Sequence, residues 1–320
     1  MQRIIGIDIG GTKCAVLTAD VGESIHILSK TRFDTRTDKG FDSTWTELMS
    51  TLTAAIEASD KPVDAIGISC GGPLNSRKGI IQSPPNLPGW DDIHIVEILQ
   101  EKFGIPTFLQ NDANACALVE WQLGNGRGTE NMIFLTMGTG MGAGIIAEGR
   151  LLRGHTDMAG EVGHLRLRPH GPVGFGKAGS FEGFTSGGGI ARLAGMLRKD
   201  WIAEGDIPMW TESDGELTTK VLADYARAGD EHAIRLFRIV GEYLGYGLAL
   251  LCDTLNPERI IIGSIFGRCQ ELLEESMWRV LREEALVYTS TDLQVLPAGT
   301  GEQLGDFASI MVAQYGLKGV

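Results

Sequence analysis

The chain has 320 residues, of which 43% are hydrophobic, and a formal net charge of -13. This length and composition suit one large domain or two ordinary ones and are not those of a disordered chain. The acidic excess, without any run of lysine or arginine, argues against broad attraction to nucleic acid or anionic membranes. We therefore expect no nucleic acid and no membrane among the partners.

Five cysteines are scattered along the chain without a Cys-x-x-Cys pair, so neither a disulfide framework nor a cysteine zinc site is predicted. Such cysteines are typical of small buried residues in a cytoplasmic protein. The first strand-like residues, Ile4–Ile7, run directly into a glycine motif and leave no room for a signal peptide. No apolar stretch approaches the roughly 20 residues of a membrane span.

The first third of the chain alternates predicted strands and helices. Apolar residues at three- and four-residue spacings predict a helix over Phe41–Ala58 with one buried face. Further helices are predicted at Ile93–Phe103 and from about Ala113 to Gln122. Strand patterns fall at Arg3–Asp8, Cys14–Asp20, Ile25–Thr31, Ala65–Ser69 and Thr107–Gln110. This alternation predicts an α/β fold.

The second part of the chain begins after the flexible Gly124–Gly128 segment and is rich in helices. Strands are predicted at Met132–Met137, Ile145–Ala147, Arg259–Ile262 and Leu293–Leu296. Helices are predicted at Ile190–Glu204, Thr218–Ala228, Glu231–Asp253, Gln270–Val287 and Asp306–Leu317. We expect a small α/β lobe over residues 1–117, completed by the closing helix over 306–320, and a larger lobe over residues 118–305.

The opening glycine motif runs from Gly6 to Lys13 and combines residue types that suit a nucleotide-phosphate site. Glycines admit backbone N–H groups to phosphate, a hydroxyl donates, a lysine adds positive charge, and an aspartate can hold Mg²⁺ through water. These residues are Asp8, Gly10, Gly11, Thr12 and Lys13. A tight hairpin turn explains the motif equally well. It is not a P-loop, because a strand-like segment follows it instead of a helix.

A second glycine loop covers Gly138–Gly144, with a glycine at every second position and a strand after it. This pattern is not a dinucleotide-binding fingerprint. Two hairpin loops that face each other across a cleft can hold the two ends of a polyphosphate. The pair of loops is therefore more informative than either loop alone.

Four motifs follow one another along the chain: Asp8-Ile-Gly-Gly-Thr-Lys13, Asn111-Asp112, Thr136-Met-Gly-Thr-Gly140 and Gly160-Glu-Val-Gly-His164. In this order they resemble the ROK family of repressors, uncharacterised reading frames and sugar kinases. The resemblance extends from Gly6 to the segment that ends in Gly263. It implies a two-lobed, actin-like ATPase (ribonuclease H-like) fold that closes over ATP and a hexose. Family members often form dimers, so a homodimer is expected.

Carried over position by position, the resemblance implies a site for ATP with Mg²⁺ and a site for a sugar. The nucleotide site would contain Asp8, Gly10, Gly11, Thr12, Lys13, Gly138, Thr139, Gly140 and Gly263. The sugar site would contain Gly72, Asn86, Asn111, Asp112, Glu161, His164 and Glu182. Asp112 would act as the general base, since phosphoryl transfer needs an aligned, activated hydroxyl. The alternative role of Asp112 is that of a helix N-cap.

The chain departs from the family pattern where most ROK proteins have Cys-x-Cys-Gly-x-x-Gly-Cys-x-Glu around a structural zinc. Here the segment Val173–Glu182 keeps the spacing and lacks the cysteines. We predict no zinc site, because a structural zinc needs four ligands. Val173, Phe175 and Phe181 are expected to replace the metal by hydrophobic packing, and His164 to be available for a sugar hydroxyl.

A second departure is Gly263-Ser264-Ile265, where related kinases have a glycine-rich triplet near the adenosine. The added bulk leaves open a rival function, a sugar-sensing or regulatory protein with weak or no catalysis. A carboxylate kinase of the same superfamily would leave the Glu161 and His164 motif without a purpose. ROK repressors carry a helix-turn-helix ahead of the first motif, at which this chain starts, so a DNA-binding repressor is not expected.

Overall fold

The computed structural model describes residues 1–210 and 217–319. The first 122 residues form β1 (Gln2–Ile9), β2 (Lys13–Val21), β3 (Ile25–Asp34), α1 (Phe41–Glu57), β4 (Ala65–Cys70), β5 (Leu74–Asn75), β6 (Ile80–Ile81), α2 (Ile95–Phe103), β7 (Thr107–Asn111) and α3 (Asp112–Gln122). The later elements are β8 (Met132–Met137), β9 (Met141–Ala147), β10 (Arg150–Leu151), β11 (Val173–Gly174), β12 (Lys177–Ala178), α4 (Phe181–Thr185), α5 (Gly187–Ala203), α6 (Thr219–Arg227), α7 (Glu231–Leu255), β13 (Arg259–Ile262), α8 (Ile265–Glu284), α9 (Val287–Ser290), β14 (Gln294–Pro297) and α10 (Leu304–Leu317).

The first sheet has the strand order β3-β2-β1-β4-β7. Strands β1, β4 and β7 are parallel, whereas β2 and β3 are antiparallel to their neighbours. Alternate residues of β1 face opposite sides of the sheet. Ile5, Ile7 and Ile9 join a core under α1 and α2, while Ile4 packs with Ile310 of α10. Both faces of this sheet are therefore buried.

The second sheet has the order β10-β9-β8-β13-β14 and is likewise covered on both faces. Ile133 and Leu135 of β8 face a large core formed with helices α4 to α8. Phe134, between them, faces α3 and α10. Helices α3 and α10 therefore lie between the two sheets. The predicted lobe boundary after residue 117 falls inside α3, and residues 211–216 of the predicted larger lobe lie outside the described residues.

Close packing of α10 on the first sheet depends on two glycines. Gly6 and Gly67 are cross-strand partners on β1 and β4. A Cβ atom on Gly6 would lie 2.3 Å from Ser309 Oγ, and one on Gly67 would lie 2.0 Å from the Ser309 carbonyl oxygen. Any larger residue at these positions would push α10 away from the sheet.

The predicted elements differ from the structure in three main respects. Strand β9 begins at Met141 instead of Ile145, because glycines at 142 and 144 let α3 approach the strand: a Cβ on Gly144 would lie 2.4 Å from Ala117 Cβ. Helix α8 begins five residues before Gln270 and contains a kink with non-helical angles at Cys269. The short elements β5, β6, β10, β11, β12, α4 and α9 were not predicted. No helix among the described residues is both long and apolar enough to cross a bilayer.

Glu120 of α3 is a fully buried carboxylate. It joins two chain segments, the one that follows α3 and the one that precedes α10. Its Oε2 accepts hydrogen bonds from the backbone N–H groups of Asn125 and Gly299, each at 3.0 Å. Its Oε1 accepts from the N–H of Thr300 at 3.0 Å and from the Thr300 hydroxyl at 2.6 Å. The segment after α3 is thereby fixed to the segment before α10.

We expect Glu120→Gln to lower the free energy of unfolding by about 2 kcal/mol, because either orientation of the amide turns an NH₂ group toward two donors. Urea denaturation of the variant would measure the loss. Glu258→Gln is the matched control, since exposed Glu258 also accepts backbone N–H groups, at 2.8 and 2.9 Å. Equal stability losses in both variants would contradict a special role for the buried carboxylate.

Candidate active site

The carboxyl ends of the parallel strands β1, β4 and β7 meet at one edge of the first sheet. Ile9, Cys70 and Asn111 lie side by side in the strand register. In open α/β sheets, ligands bind in the crevice outside this edge. The loops that follow the three strands carry the first glycine motif, Gly72 and Asp112. A Cβ on Gly72 would lie 3.3 Å from Asn111 Nδ2, so these two predicted sugar-site residues adjoin.

The first glycine motif is the turn of the β1–β2 hairpin. Gly10 N–H donates to the Lys13 carbonyl at 3.1 Å, and the Thr35 hydroxyl donates to the Gly10 carbonyl at 2.5 Å. A Cβ on Gly11 would lie 2.7 Å from Asn86 Cβ, which brings the predicted sugar loop against the predicted phosphate loop. Thr12 and Lys13 are exposed at the turn. The hairpin interpretation and an open anion-binding loop are therefore compatible.

The loop that carries Asn86 is anchored by Trp90. This side chain is 1% exposed and makes edge contacts with Phe41 and Trp45, at centroid distances of 5.0 and 6.1 Å. Trp90 is thus a core residue. Asn86 itself is exposed beside Gly11.

Asn111, not Asp112, is the N-cap of α3. The Asn111 side-chain oxygen accepts from Ala113 N–H at 2.9 Å, and Asp112 is the first helical residue. Asp112 Oδ1 also accepts from Ala113 N–H, at 2.8 Å. Solvent reaches the Asp112 side chain through the cleft, although protein atoms surround it on most sides. This enclosure raises the pKa of Asp112 above its ordinary value. Backbone hydrogen bonds lower the pKa, but their effect is smaller.

Asp8 and Asp112 share one electrostatic environment. Burial raises the pKa of Asp8 to about 6, and the nearby charges of Asp112 and Asp306 contribute to the rise. Lys30 and Arg32 oppose it. Both cations pair with Asp306 at the start of α10, Arg32 at 3.7 Å. Asp8 is thus a partly enclosed carboxyl that a cation would stabilise in its charged form.

The second glycine loop connects β8 and β9 and is held by its neighbours. Gly138 N–H donates to the Gly140 carbonyl at 3.1 Å, and the Gly138 carbonyl accepts from Gly187 N–H at 2.8 Å. Glu182 Oε2 accepts from Met141 N–H at 3.0 Å. Thr139 is exposed at the tip. Glu182, which the resemblance assigns to the sugar, therefore also fixes the loop assigned to phosphate.

The turn with Glu161 and His164 is attached to β9 through Gly160. The Gly160 carbonyl accepts from Ala143 N–H at 2.8 Å, and its φ of 96° favours glycine. Burial raises the pKa of Glu161; the charge of His164 lowers it, and the charges of Asp112 and Glu182 raise it. Predicted sugar residues from both lobes thus contribute to the pKa of Glu161.

The segment that replaces the family's zinc motif is a short β-hairpin, β11–β12. Its turn has positive φ at both central residues, 42° at Phe175 and 76° at Gly176. Phe181 is fully buried, as predicted, whereas Val173 is 45% and Phe175 is 69% exposed. The prediction of hydrophobic replacement is therefore wrong for Val173 and Phe175. A two-stranded hairpin has too little surface to bury them, although the Phe175 ring contacts the His164 ring at a centroid distance of 5.4 Å.

Backbone hydrogen bonds hold this hairpin to the preceding strand-like segment. The N–H groups of Leu167 and Arg168 both donate to the Gly179 carbonyl, at 2.9 and 3.1 Å. The Arg166 guanidinium donates to the Ala178 carbonyl at 2.7 Å. In the part of the chain that the structure describes, no three His, Cys, Asp or Glu side chains come together in a way that could hold a metal ion.

The second departure from the family lies beside the second glycine loop. Gly263 N–H donates to the Leu135 carbonyl at 2.9 Å, and a Cβ on Gly138 would lie 3.7 Å from Ser264 Oγ. Ser264 has φ 55° and ψ -107°, a conformation that strains a residue with a side chain. Gly263 and Ser264 thus border the predicted nucleotide site.

Asp306, Lys30 and Arg32 act on the charge of Asp8 in the predicted phosphate site, and the sequence did not indicate them. They come from β3 and α10, at opposite ends of the chain, and belong to no motif. Only the pairing of β1, β2 and β3 places Arg32 in register with Ala15 and Asp8. The one available signal was a lysine near the end of the predicted strand Ile25–Thr31 and an arginine directly after that strand.

Comparison with known proteins agrees with the motifs and the fold. The ROK family profile matches residues 4–314. A glucokinase from Halalkalibacterium halodurans is 36% identical over 278 residues, 84% of this chain and 82% of that protein. A ROK hexokinase structure from Thermus thermophilus has a TM-score of 0.81 at 30% identity, covering 100% of both chains. A ROK glucokinase structure from Streptomyces griseus, in complex with glucose and AMPPNP, has a TM-score of 0.75 at 28% identity, covering 98% of this chain and 99% of that one. The chain therefore belongs to the ROK family and has the two-lobed, actin-like fold of its sugar kinases.

Proposed function

We propose that this sugar kinase transfers the γ-phosphoryl group of ATP to a hydroxyl of a hexose or an N-acetylhexosamine, with Asp112 as the general base. The observation that carries the proposal is the setting of Asp112. Its carboxylate is accessible at the start of α3, at the sheet edge that carries the first glycine loop, and influences the pKa values of both Asp8 and Glu161. These two residues come from the predicted phosphate and sugar sites.

In the proposed reaction, Asp112 accepts the proton of the sugar hydroxyl as that oxygen bonds to the γ-phosphorus and the bond to the leaving ADP oxygen breaks. The raised pKa of Asp112 makes it a better proton acceptor than an aspartate with an ordinary pKa. Asn111 caps the helix, so Asp112 is not needed for that role.

The two hairpin loops provide the proposed nucleotide site. Backbone N–H groups near Gly11 and Thr139 would bind phosphate oxygens, and Lys13 would add positive charge. Magnesium usually keeps several waters and needs only one or two carboxylates besides the nucleotide phosphates. Asp8 fits this role, because its carboxyl is partly enclosed and repelled by its neighbours. When bound, Mg²⁺ would neutralise charge that develops on the phosphates.

Side chains from both lobes provide the proposed sugar site. Asn86 and Asn111 belong to the first lobe, and Glu161, His164 and Glu182 approach from the second. Carboxylates accept hydrogen bonds from sugar hydroxyls, while amides and a histidine can both donate and accept. The hairpin β11–β12 keeps His164 and Glu182 near the second glycine loop without cysteine ligands.

Sugar-dependent ADP release would test this proposal directly. We expect purified protein with ATP and Mg²⁺ to release ADP only when a hexose such as glucose, mannose or fructose, or an N-acetylhexosamine, is added. Acetate, added as a carboxylate acceptor, should leave the rate at background. Tight sugar binding by calorimetry, without ADP release for any sugar, would contradict the kinase and support a sugar-sensing protein.

A further inference from the structure

A cavity of about 590 Å³ opens along the outer edge of β7, which is the edge strand of the first sheet. Its walls come from both lobes: the β5–β6 turn, α2 and β7 on one side, and Arg153 on the other, with α3 and α10 between them. Neither glycine loop nor Asp112 lines it. The cavity is therefore separate from the proposed active site.

Several hydrogen-bond donors in this cavity have no acceptor among the described residues. Gln110 is 4% exposed, and its Oε1 accepts from Asn111 N–H at 2.9 Å and from Asn114 Nδ2 at 3.1 Å. Its Nε2 group makes no hydrogen bond within residues 1–210 and 217–319. The guanidinium of half-buried Arg153 and the ammonium of Lys78 also lack an acceptor there. An amide donor and two cations, each without an acceptor among the described residues, suit an anion.

Contacts between the lobes fix the position of these donors. Arg77 donates to the carbonyl oxygens of Gly154 and His155, both at 3.1 Å. Asp157 accepts from the N–H of Ser76 at 2.9 Å and from its hydroxyl at 2.6 Å. The segment that carries Arg153 is therefore attached to the turn that carries Lys78, and both cations line one cavity.

Acceptors line the same cavity. Glu97, Gln100 and Glu101 of α2 line it and can accept hydrogen bonds from hydroxyl groups. Cations together with acceptors match a molecule that has both a phosphate and several hydroxyls. A simple anion would use only the donors, and an uncharged sugar would leave Arg153 unpaired.

We propose that the β7 cavity binds a phosphate monoester of a small polyol, of the class to which a hexose phosphate belongs, and couples it to the active site. The identification of this ligand with the product of the enzyme rests on the proposed function, whereas the binding site itself does not. Both walls lead into that site: Gln110 precedes Asn111 and Asp112, and the segment after Arg153 leads to Glu161. A ligand that bridges Gln110 and Arg153 would restrain the two lobes relative to each other.

Calorimetry without ATP tests the proposal, because it does not depend on turnover. Glucose 6-phosphate is titrated into protein saturated with glucose, so that the sugar site is occupied, with inorganic phosphate and further glucose as separate titrants. We expect glucose 6-phosphate to bind and Arg153→Gln to weaken its binding at least tenfold. Lys78→Gln should weaken it in the same direction. Arg150→Gln, an exposed residue on the adjoining β10, should not.

Three results would overturn the proposal. One is unchanged affinity in both Arg153→Gln and Lys78→Gln at unaltered melting temperature. Another is binding that saturating glucose abolishes, which would place the ligand in the sugar site. The third is inorganic phosphate that binds as tightly as glucose 6-phosphate, since the acceptors on α2 would then contribute nothing.

Discussion

Asp112→Asn is expected to lower kcat by about 10³-fold, within the range that general-base catalysis contributes. The amide is nearly isosteric with the carboxylate but cannot accept the proton of the sugar hydroxyl. Because the helix is capped by Asn111, the variant should keep its fold and bind sugar with little change. Steady-state ADP release, sugar calorimetry and thermal melting together would separate lost catalysis from lost structure.

Asp224→Asn is the matched control for Asp112, since the Asp224 side chain is 62% exposed and pairs with Arg227 on the same helix. Its kcat should stay at the wild-type level. The wild-type rate should also fall when the pH is lowered. This fall should begin at a higher pH than for an ordinary aspartate, because the pKa of the base is raised. A kcat reduced less than tenfold in Asp112→Asn would exclude Asp112 as the base.

Asp8→Asn is expected to raise the free energy of unfolding at pH 7 by up to about 3 kcal/mol and to lower activity. The pKa of Asp8 rises from 3.8 to about 6 on folding, and this gap corresponds to about 3 kcal/mol once the group is ionised. Between these two values the native state holds its proton more tightly than the unfolded chain. Wild-type stability therefore falls as the pH rises through this window, and the variant lacks that loss.

Urea denaturation of wild type and Asp8→Asn at pH 4 and pH 7 would measure this effect. The two proteins should differ little at pH 4 and most at pH 7, and Mg²⁺ with nucleotide should reduce the difference by stabilising the wild type. Asp60→Asn is the control of opposite sign, because the Arg3 guanidinium lowers the pKa of that carboxyl. A variant less stable than wild type at pH 7 would show that the Asp8 charge is stabilising.

The sequence predicted the glycine motifs and the succession of strands along the chain, because both depend on local patterns. The nearly continuous apolar run Ile4–Ile9 is typical of a strand that is buried on both faces, and Gly10 and Gly11 suit the turn that follows. The ROK family and its fold, which the motifs predicted, are confirmed. The division into lobes, the site residues, the homodimer and the cytoplasmic location stay predictions.

The packing of the segment Val173–Glu182, where most ROK proteins have the cysteines of the zinc motif, could not be predicted from the sequence. The spacing of Val173–Glu182 showed that no cysteines were available, but exposure depends on what lies above each side chain. Phe181 is buried against α7, where a Cβ on Gly247 would lie 2.4 Å from its ring. Phe175 stands at the tip of a hairpin and is 69% exposed. Two phenylalanines of equal hydrophobicity thus have opposite environments.

By itself, the sequence determined the family, the α/β alternation and Asp112 as the candidate base, because each rests on residues close together in the chain. Only the tertiary structure decided that Asn111 takes the cap, that the charges of Asp306, Lys30 and Arg32 act on Asp8, and that Gln110 and Arg153 share a cavity. The physical reason is distance along the chain. Burial, charge coupling and unpaired donors arise between segments that meet only after β1, β7 and α10 have packed together.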